Sequence, residues 1–201
     1  MIAAFRGFAK AHFLEACAVM NTFKADFEEI RRRAREHMEQ GSVTEAYKAD
    51  VDKVVSVLNE VLATEIVCTL RYKAHYYMAQ GIHSQAIAEE FLQHSNEEQQ
   101  HADMVAKRIT ELNGKPNFNP DGLHTRSHAQ YSVGAKLEDM IREDLVAERI
   151  AIGTYSEIVR WLGTDDPTTR RMMEQILATE EEHADDMAKL LARIGAKSDG
   201  H

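Results

Sequence analysis

At 201 residues, with 44% hydrophobic and 28% charged side chains, the chain is long enough to bury one full core without disulfides or a structural metal. Its net charge of −9 argues against nucleic acid as the main partner, and no apolar run approaches the roughly 18 residues that a membrane span needs. Cys17 and Cys68 lack CxxC spacing, and Arg6, Lys10, His12 and Glu15 interrupt the N-terminal stretch before a signal-peptide core can form, so a reduced, cytoplasmic protein is expected.

Three prolines and ten glycines favour long helices. Residues 1–43 read as an N-terminal helical extension ahead of a bundle over 44–201. Phe5, Phe8, Phe13, Val19, Met20 and Phe23 are too apolar to dangle in water, so this segment is expected to pack on the bundle or on a neighbouring subunit. The basic run at 31–35 is flanked by Glu28, Glu29, Glu36 and Glu39 and reads as a salt-bridged helix face.

Apolar residues at three- and four-residue spacing predict four long helices, over 44–80, 84–112, 133–162 and 166–194. The turn at 80–84 ends in Ser84, fit to cap a helix. The turn at 162–168 offers Gly163 as a stop, Thr164 or Asp165 as a cap, and Pro167 inside the next first turn. Between the second and third helices, 113–132 holds two of the three prolines and reads as a loop. Twenty extended residues reach about 65 Å, against about 42 Å for a bundle helix of about 28 residues. The loop can therefore cross the bundle end to end, leaving the second and third helices parallel and the short turns at opposite ends. The expected fold is an all-α, antiparallel four-helix bundle with one long crossover.

Two near-identical acidic stretches, "EEQQHAD" at 97–103 and "EEEHAD" at 180–185, each carry Glu-x-x-His. With 21 Glu and 10 His in the chain, about one such match is expected by chance, so placement decides. Glu98 and Glu180 each lie about 21 Å from the turn that precedes their helix, and Glu65 and Glu148 lie at matching distances before the ends of theirs. All four fall at one level of the bundle. They also point inward: Leu58, Glu65 and Tyr72 share a heptad position, as do Ile141, Glu148 and Tyr155, and Met173, Glu180 and Met187. Buried carboxylates require compensation, and no Lys or Arg shares those stripes. Four carboxylates and two neutral imidazoles, His101 and His183, are balanced by two divalent metals. Oxygen and imidazole ligands suit iron or manganese, with zinc as a further occupant.

This pattern resembles that of ferritin-like di-iron proteins. "LNEVLATEIVCTLRY" (58–72), "EEQQHADMVAKRITELNGKPN" (97–117), "EDMIREDLVAE" (138–148) and "MMEQILATEEEHAD" (172–185) are similar to bacterioferritin, and the resemblance spans about 50–195. It implies Glu65 and Glu148 as terminal ligands, Glu98 and Glu180 as bridging carboxylates, and His101 and His183 as one imidazole per metal, for two iron ions per subunit. It makes Tyr72 a candidate electron donor beside the centre. Where that family has a haem-ligating methionine, this chain has Gln99; an amide does not replace a thioether, and no haem is expected. The chain ends soon after the fourth helix, without room for the short fifth helix of 24-subunit cages, and carries its extension in front. Both traits resemble the Dps-like branch, so a 12-subunit homo-oligomer is favoured over a 24-mer.

The resemblance implies a ferroxidase that oxidises Fe(II) with O2 or H2O2 and stores iron in a hollow shell. The alternative is a non-storage di-metal oxidoreductase, a rubrerythrin-like peroxidase or a manganese catalase. The absence of a CxxC pair counts against the peroxidase, and the charge counts against a DNA-protecting shell.

Overall fold

The computed structural model describes residues 23–79 and 84–198. The chain divides between Glu39 and Gln40 into two units. In the first, Asp26 caps α1 (Phe27–Arg33) by accepting from the backbone N–H groups of Glu28 and Glu29. Arg32 Nε lies 2.7 Å from Glu29, and its guanidinium also meets Glu36, as expected of a salt-bridged face. Phe5, Phe8, Phe13, Val19 and Met20 lie outside the described residues.

In the second unit, α2 (Val51–Met78), α3 (Gln85–Glu111), α5 (Leu137–Leu162) and α6 (Pro167–Ser198) form the bundle, and α4 (Leu123–Arg126) is a single turn inside the crossover. The helices begin later than hydrophobic spacing alone predicts. Residues 44–50 stay outside α2 because Asp50 caps it, accepting from Lys53 N at 3.2 Å. Residues 133–136 stay outside α5, where Gly134 has φ +63° and Asp139 accepts from Lys136 N at 3.2 Å. The cap of α6 is Asp166, one residue beyond the expected Thr164 or Asp165. Its carboxylate accepts from Thr169 N at 2.9 Å, with Pro167 at the first helical position. Gly163 ends α5 at φ +49°, as expected of a helix stop.

Contacts between helices set the topology. Down α2 and up α5, Arg71 meets Asp144, Tyr72 meets Glu148 and Glu65 meets Tyr155. Along α3 and α6, Glu97 meets His183, His101 meets Glu180 and Arg108 meets Thr169. Both pairs are antiparallel. The crossover climbs alongside α2: Asn117 N donates to Asn59, His128 N to Thr64, and Arg71 to the Gln130 carbonyl. It leaves α3 at Gly114, where a Cβ would come within 2.7 Å of Val55, so only glycine lets the chain pass this close. The crossover thus runs the length of the bundle, as its reach allowed.

Beside a small cluster of Cys68, Ala129 and Ala147, the core has two larger ones. One contains Val54, Leu58, Leu62, Val105, Ile109, Leu162 and Ile176, and the other Tyr72, Ile87, Phe91, Met140, Ile141 and Met187. Between them lies the level of the four glutamates. Two arginines are buried elsewhere in the bundle, outside the stripes that carry the glutamates, and each already has a carboxylate. Arg71 Nε bonds Asp144 at 2.8 Å, with His75 on the other Asp144 oxygen, and Arg108 Nη2 bonds Asp166 at 3.0 Å. Among the described residues no helix is long and apolar enough to cross a membrane.

Asp166 concentrates several functions in a side chain that is 1% exposed: it caps α6, pairs with Arg108 and accepts from the Tyr47 hydroxyl at 2.8 Å. Burial pushes its carboxyl pKa up, but bonds from Thr169, Tyr47 and Arg108 outweigh burial and hold it below the ordinary value. Asp166→Ala is expected to cost about 3–5 kcal/mol, because it strands a buried guanidinium and removes a cap. A depressed folded-state pKa makes this stabilisation complete above the unfolded carboxyl value near about 4 and lost as pH falls through the folded value. Urea unfolding at neutral and acidic pH checks both points: the gap from the wild-type chain narrows in acid.

Candidate metal centre

One glutamate from each bundle helix reaches the middle of the core. Glu65 in α2, Glu98 in α3, Glu148 in α5 and Glu180 in α6 are no more than 1% exposed. His101 and His183 follow Glu98 and Glu180 by three residues, one turn along the same helix face, and are buried with them. His101 Nδ1 lies 3.0 Å from Glu180 Oε1, 3.4 Å from Glu65 Oε2 and 3.8 Å from Glu98 Oε2. His183 Nδ1 lies 3.3 Å from Glu98 Oε1 and 3.5 Å from Glu180 Oε2. The donors fall into two overlapping groups: Glu65, Glu98, His101 and Glu180, and then Glu98, Glu148, Glu180 and His183. In each, the ligand atoms lie within 4.8 Å of one another. Glu98 and Glu180 belong to both groups and turn one oxygen to each imidazole.

Neighbouring side chains aim these donors. Tyr72 donates its hydroxyl to Glu148 Oε1, and Tyr155 donates to Glu65 Oε1. Burial, and then the charge of the glutamate it serves, pushes each phenol well above its ordinary pKa, so both remain donors. The role of Tyr155 was legible only as symmetry: it follows Glu148 by seven residues as Tyr72 follows Glu65. His183 Nε2 lies 2.8 Å from Glu97 Oε2, which holds a proton on Nε2 and leaves Nδ1, facing the centre, as the nitrogen that would give up its proton to an ion. Sequence reasoning missed Glu97, whose only signal was adjacency to Glu98. His94 was missed too. It stacks on His183 with ring centroids 3.9 Å apart, and burial with the His183 charge holds it neutral, its pKa pushed down to about 3. Gln99 is exposed and donates to Asp103 at 3.2 Å.

The donor set fits a pair of cations. Glu65 Oε2, Glu98 Oε1, His101 Nδ1, Glu148 Oε2, both Glu180 oxygens and His183 Nδ1 are buried without a hydrogen-bond partner. Orphaned buried polar atoms are costly, yet these face one another across a single space. Their 3.0–3.8 Å separations are close to those of ligands sharing an ion with bonds of about 2.0–2.2 Å. Electrostatics make the same demand. Burial and then the Glu98 charge push Glu65 up to about 8, and burial with Glu98 and Glu180 pushes Glu148 well above its ordinary value. Burial would lower His183, but Glu180 and Glu98 raise it to about 11; His101 is raised likewise, against burial, by Glu180, Glu65 and Glu98. Burial also pushes Glu180 up, but the two histidines outweigh it and hold that carboxyl low. The pocket attracts positive charge from whatever source supplies it.

Residues 55–196 match the family model for the ferritin-like domain. Bacterioferritin from Brucella melitensis is 30% identical over 154 residues, 74% of this chain and 90% of that one. Bacterioferritin from Mycobacterium leprae is 29% identical over 143 residues, 71% of this chain and 86% of that one. Among solved structures, a dodecameric thioferritin, the bacterioferritin-related protein from Bacteroides fragilis, superposes with a TM-score of 0.72 at 29% identity. The match covers 76% of this chain and 92% of that one. By its domain match, its relatives and its four-helix bundle, the chain belongs to the ferritin-like family.

Proposed function

We propose that the protein is a di-iron ferroxidase that takes up Fe(II), oxidises it with O2 or H2O2, and retains the product in a hollow homo-oligomer. The observation that carries this reading is the pair of overlapping four-ligand groups, whose shared members are, among the described residues, the only two with oxygens facing both histidines. Glu65 and His101 would hold one Fe(II), Glu148 and His183 the other, and Glu98 and Glu180, which belong to both groups, would be shared between them. Two Fe(II) lose one electron each; the two electrons, with two protons, reduce O2 to H2O2 or H2O2 to two waters. Iron supplies the redox change. The chain supplies ligands fixed before iron arrives, phenols that orient the terminal carboxylates, and apolar clusters on both sides that exclude water. Tyr72, in contact with Glu148, is the candidate donor of a further electron when O2 is reduced beyond the two electrons that the irons supply.

Glu98→Ala removes a ligand to both irons. We expect rapid Fe(II) oxidation, followed in a stopped-flow absorbance assay, to slow by about a hundredfold or more. Helical content should be unchanged, because the change removes one of four buried carboxylates crowded at one level and leaves Glu180 facing both histidines. Oxidation at the wild-type rate would remove Glu98 from the ligand set.

The assembly reading places an N-terminal extension, residues 1–43, ahead of a bundle over 44–201 and builds a shell of twelve copies. The dodecameric state of the Bacteroides fragilis relative supports that number, and the net charge of −9 favours cation entry and iron nucleation. Light scattering is expected to give about twelve times the 22.8 kDa chain mass, roughly 270 kDa. A dimer stable across micromolar concentrations would contradict the shell and favour a non-storage di-metal oxidoreductase.

A further inference from the structure

One turn along the bundle from the centre, the donor pattern repeats. His94 precedes Glu98 by four residues on α3, Glu90 precedes His94 by four more, and Asp186 follows His183 by three on α6. A ligand atom from each of Glu90, His94 and Asp186 lies within 4.8 Å of the others. His94 Nε2 is 3.6 Å from Glu90 Oε1 and 4.0 Å from Asp186 Oδ2. These separations are too long for hydrogen bonds but near those of donors sharing one ion.

The histidine sets this cluster apart from an ordinary acidic surface. His94 is 1% exposed, yet among the described residues no hydrogen bond reaches either of its nitrogens, and Nδ1 is buried outright. An imidazole taken out of water without a partner is costly, and here its Nε2 edge faces two carboxylates. Lys189 engages Asp186 through the other oxygen, Oδ1, at 3.4 Å, leaving Oδ2 turned to His94. None of the three residues is a ligand of the dinuclear centre.

We propose that Glu90, His94 and Asp186 form a third cation site, separate from the dinuclear centre and selective for a first-row divalent ion such as Fe(II), Zn(II) or Co(II). The imidazole disfavours Mg(II) and Ca(II), which prefer all-oxygen shells. The side chains of Glu90 and Asp186 are 33% and 40% exposed, so an ion can reach them from solvent. The stacking of His94 on His183 then puts that ion beside a ligand of the centre. The site is thus a waiting position for Fe(II) on a route inward, a role that rests on the ferroxidase reading, whereas the site itself does not.

Anomalous diffraction at the zinc edge, on crystals of the full chain equilibrated with Zn(II), tests this. The expected map has three peaks per chain, two at the centre and one bounded by His94, Glu90 and Asp186. In the double variant Glu90→Gln, Asp186→Asn, the third peak should fall at least about tenfold in occupancy while the central pair persists. Absence of the third peak in the wild-type chain, or its persistence in the variant, would overturn the proposal. A third peak without the central pair would uphold this site and refute the dinuclear centre.

Discussion

Four carboxylates buried at one level of a helical bundle, with two histidines but, among the described residues, no lysine or arginine paired with them, are the constraint on which the rest of this structure depends. In a dry interior, like charges at this spacing repel strongly, and without positive charge the arrangement would protonate or open. The two buried guanidiniums form no ion pair with these four. Arg71 is bound to Asp144 and Arg108 to Asp166, so each ion pair is balanced and the central four remain in deficit. What is left is a cluster of buried carboxylate oxygens and imidazole nitrogens without hydrogen-bond partners. Such a cluster is stable inside a folded protein only when it holds cations, or the protons that substitute for them.

The surrounding bundle keeps that deficit in place. Tyr72 and Tyr155 each bond one oxygen of a terminal glutamate and leave the other facing inward; Glu97 fixes the tautomer of His183 from outside. The two apolar clusters lie on either side of the charged level. On the proposed reading, a pair of metal ions would meet ligands that need little reorganisation. The near symmetry of the two halves, Glu65 with Tyr72 on α2 and Glu148 with Tyr155 on α5, would give both ions nearly the same environment except at the histidines. There His183 carries Glu97 and the stacked His94, and His101 does not.

Much of this was legible in the sequence because both helical period and helical rise are rigid. The heptad relations of Glu65, Glu148 and Glu180 gave their inward direction, and counting residues from each turn gave their common height. Helix starts were less legible. Apolar spacing continues through 44–50 and 133–136, but Asp50 and Asp139 bond backbone N–H groups and start α2 and α5 later. At α6, Asp166 won the cap over Thr164 and Asp165 because Arg108, far away in the chain, pairs with it. Tyr155, Glu97 and His94 escaped attention for a related reason: each acts through a partner on another helix, and a single sequence shows spacing along one helix, not contact between two.

The central claim is that the deficit of positive charge is met by two ions held together, with Glu98 and Glu180 shared between them. Iron K-edge X-ray absorption, on protein loaded with two Fe(II) per chain in the absence of oxygen, tests it most directly. The account predicts a first shell of oxygen and nitrogen only, and an iron–iron vector of about 3.5–4 Å. Iron atoms without a metal neighbour at that distance, or a shell containing sulfur, would contradict it.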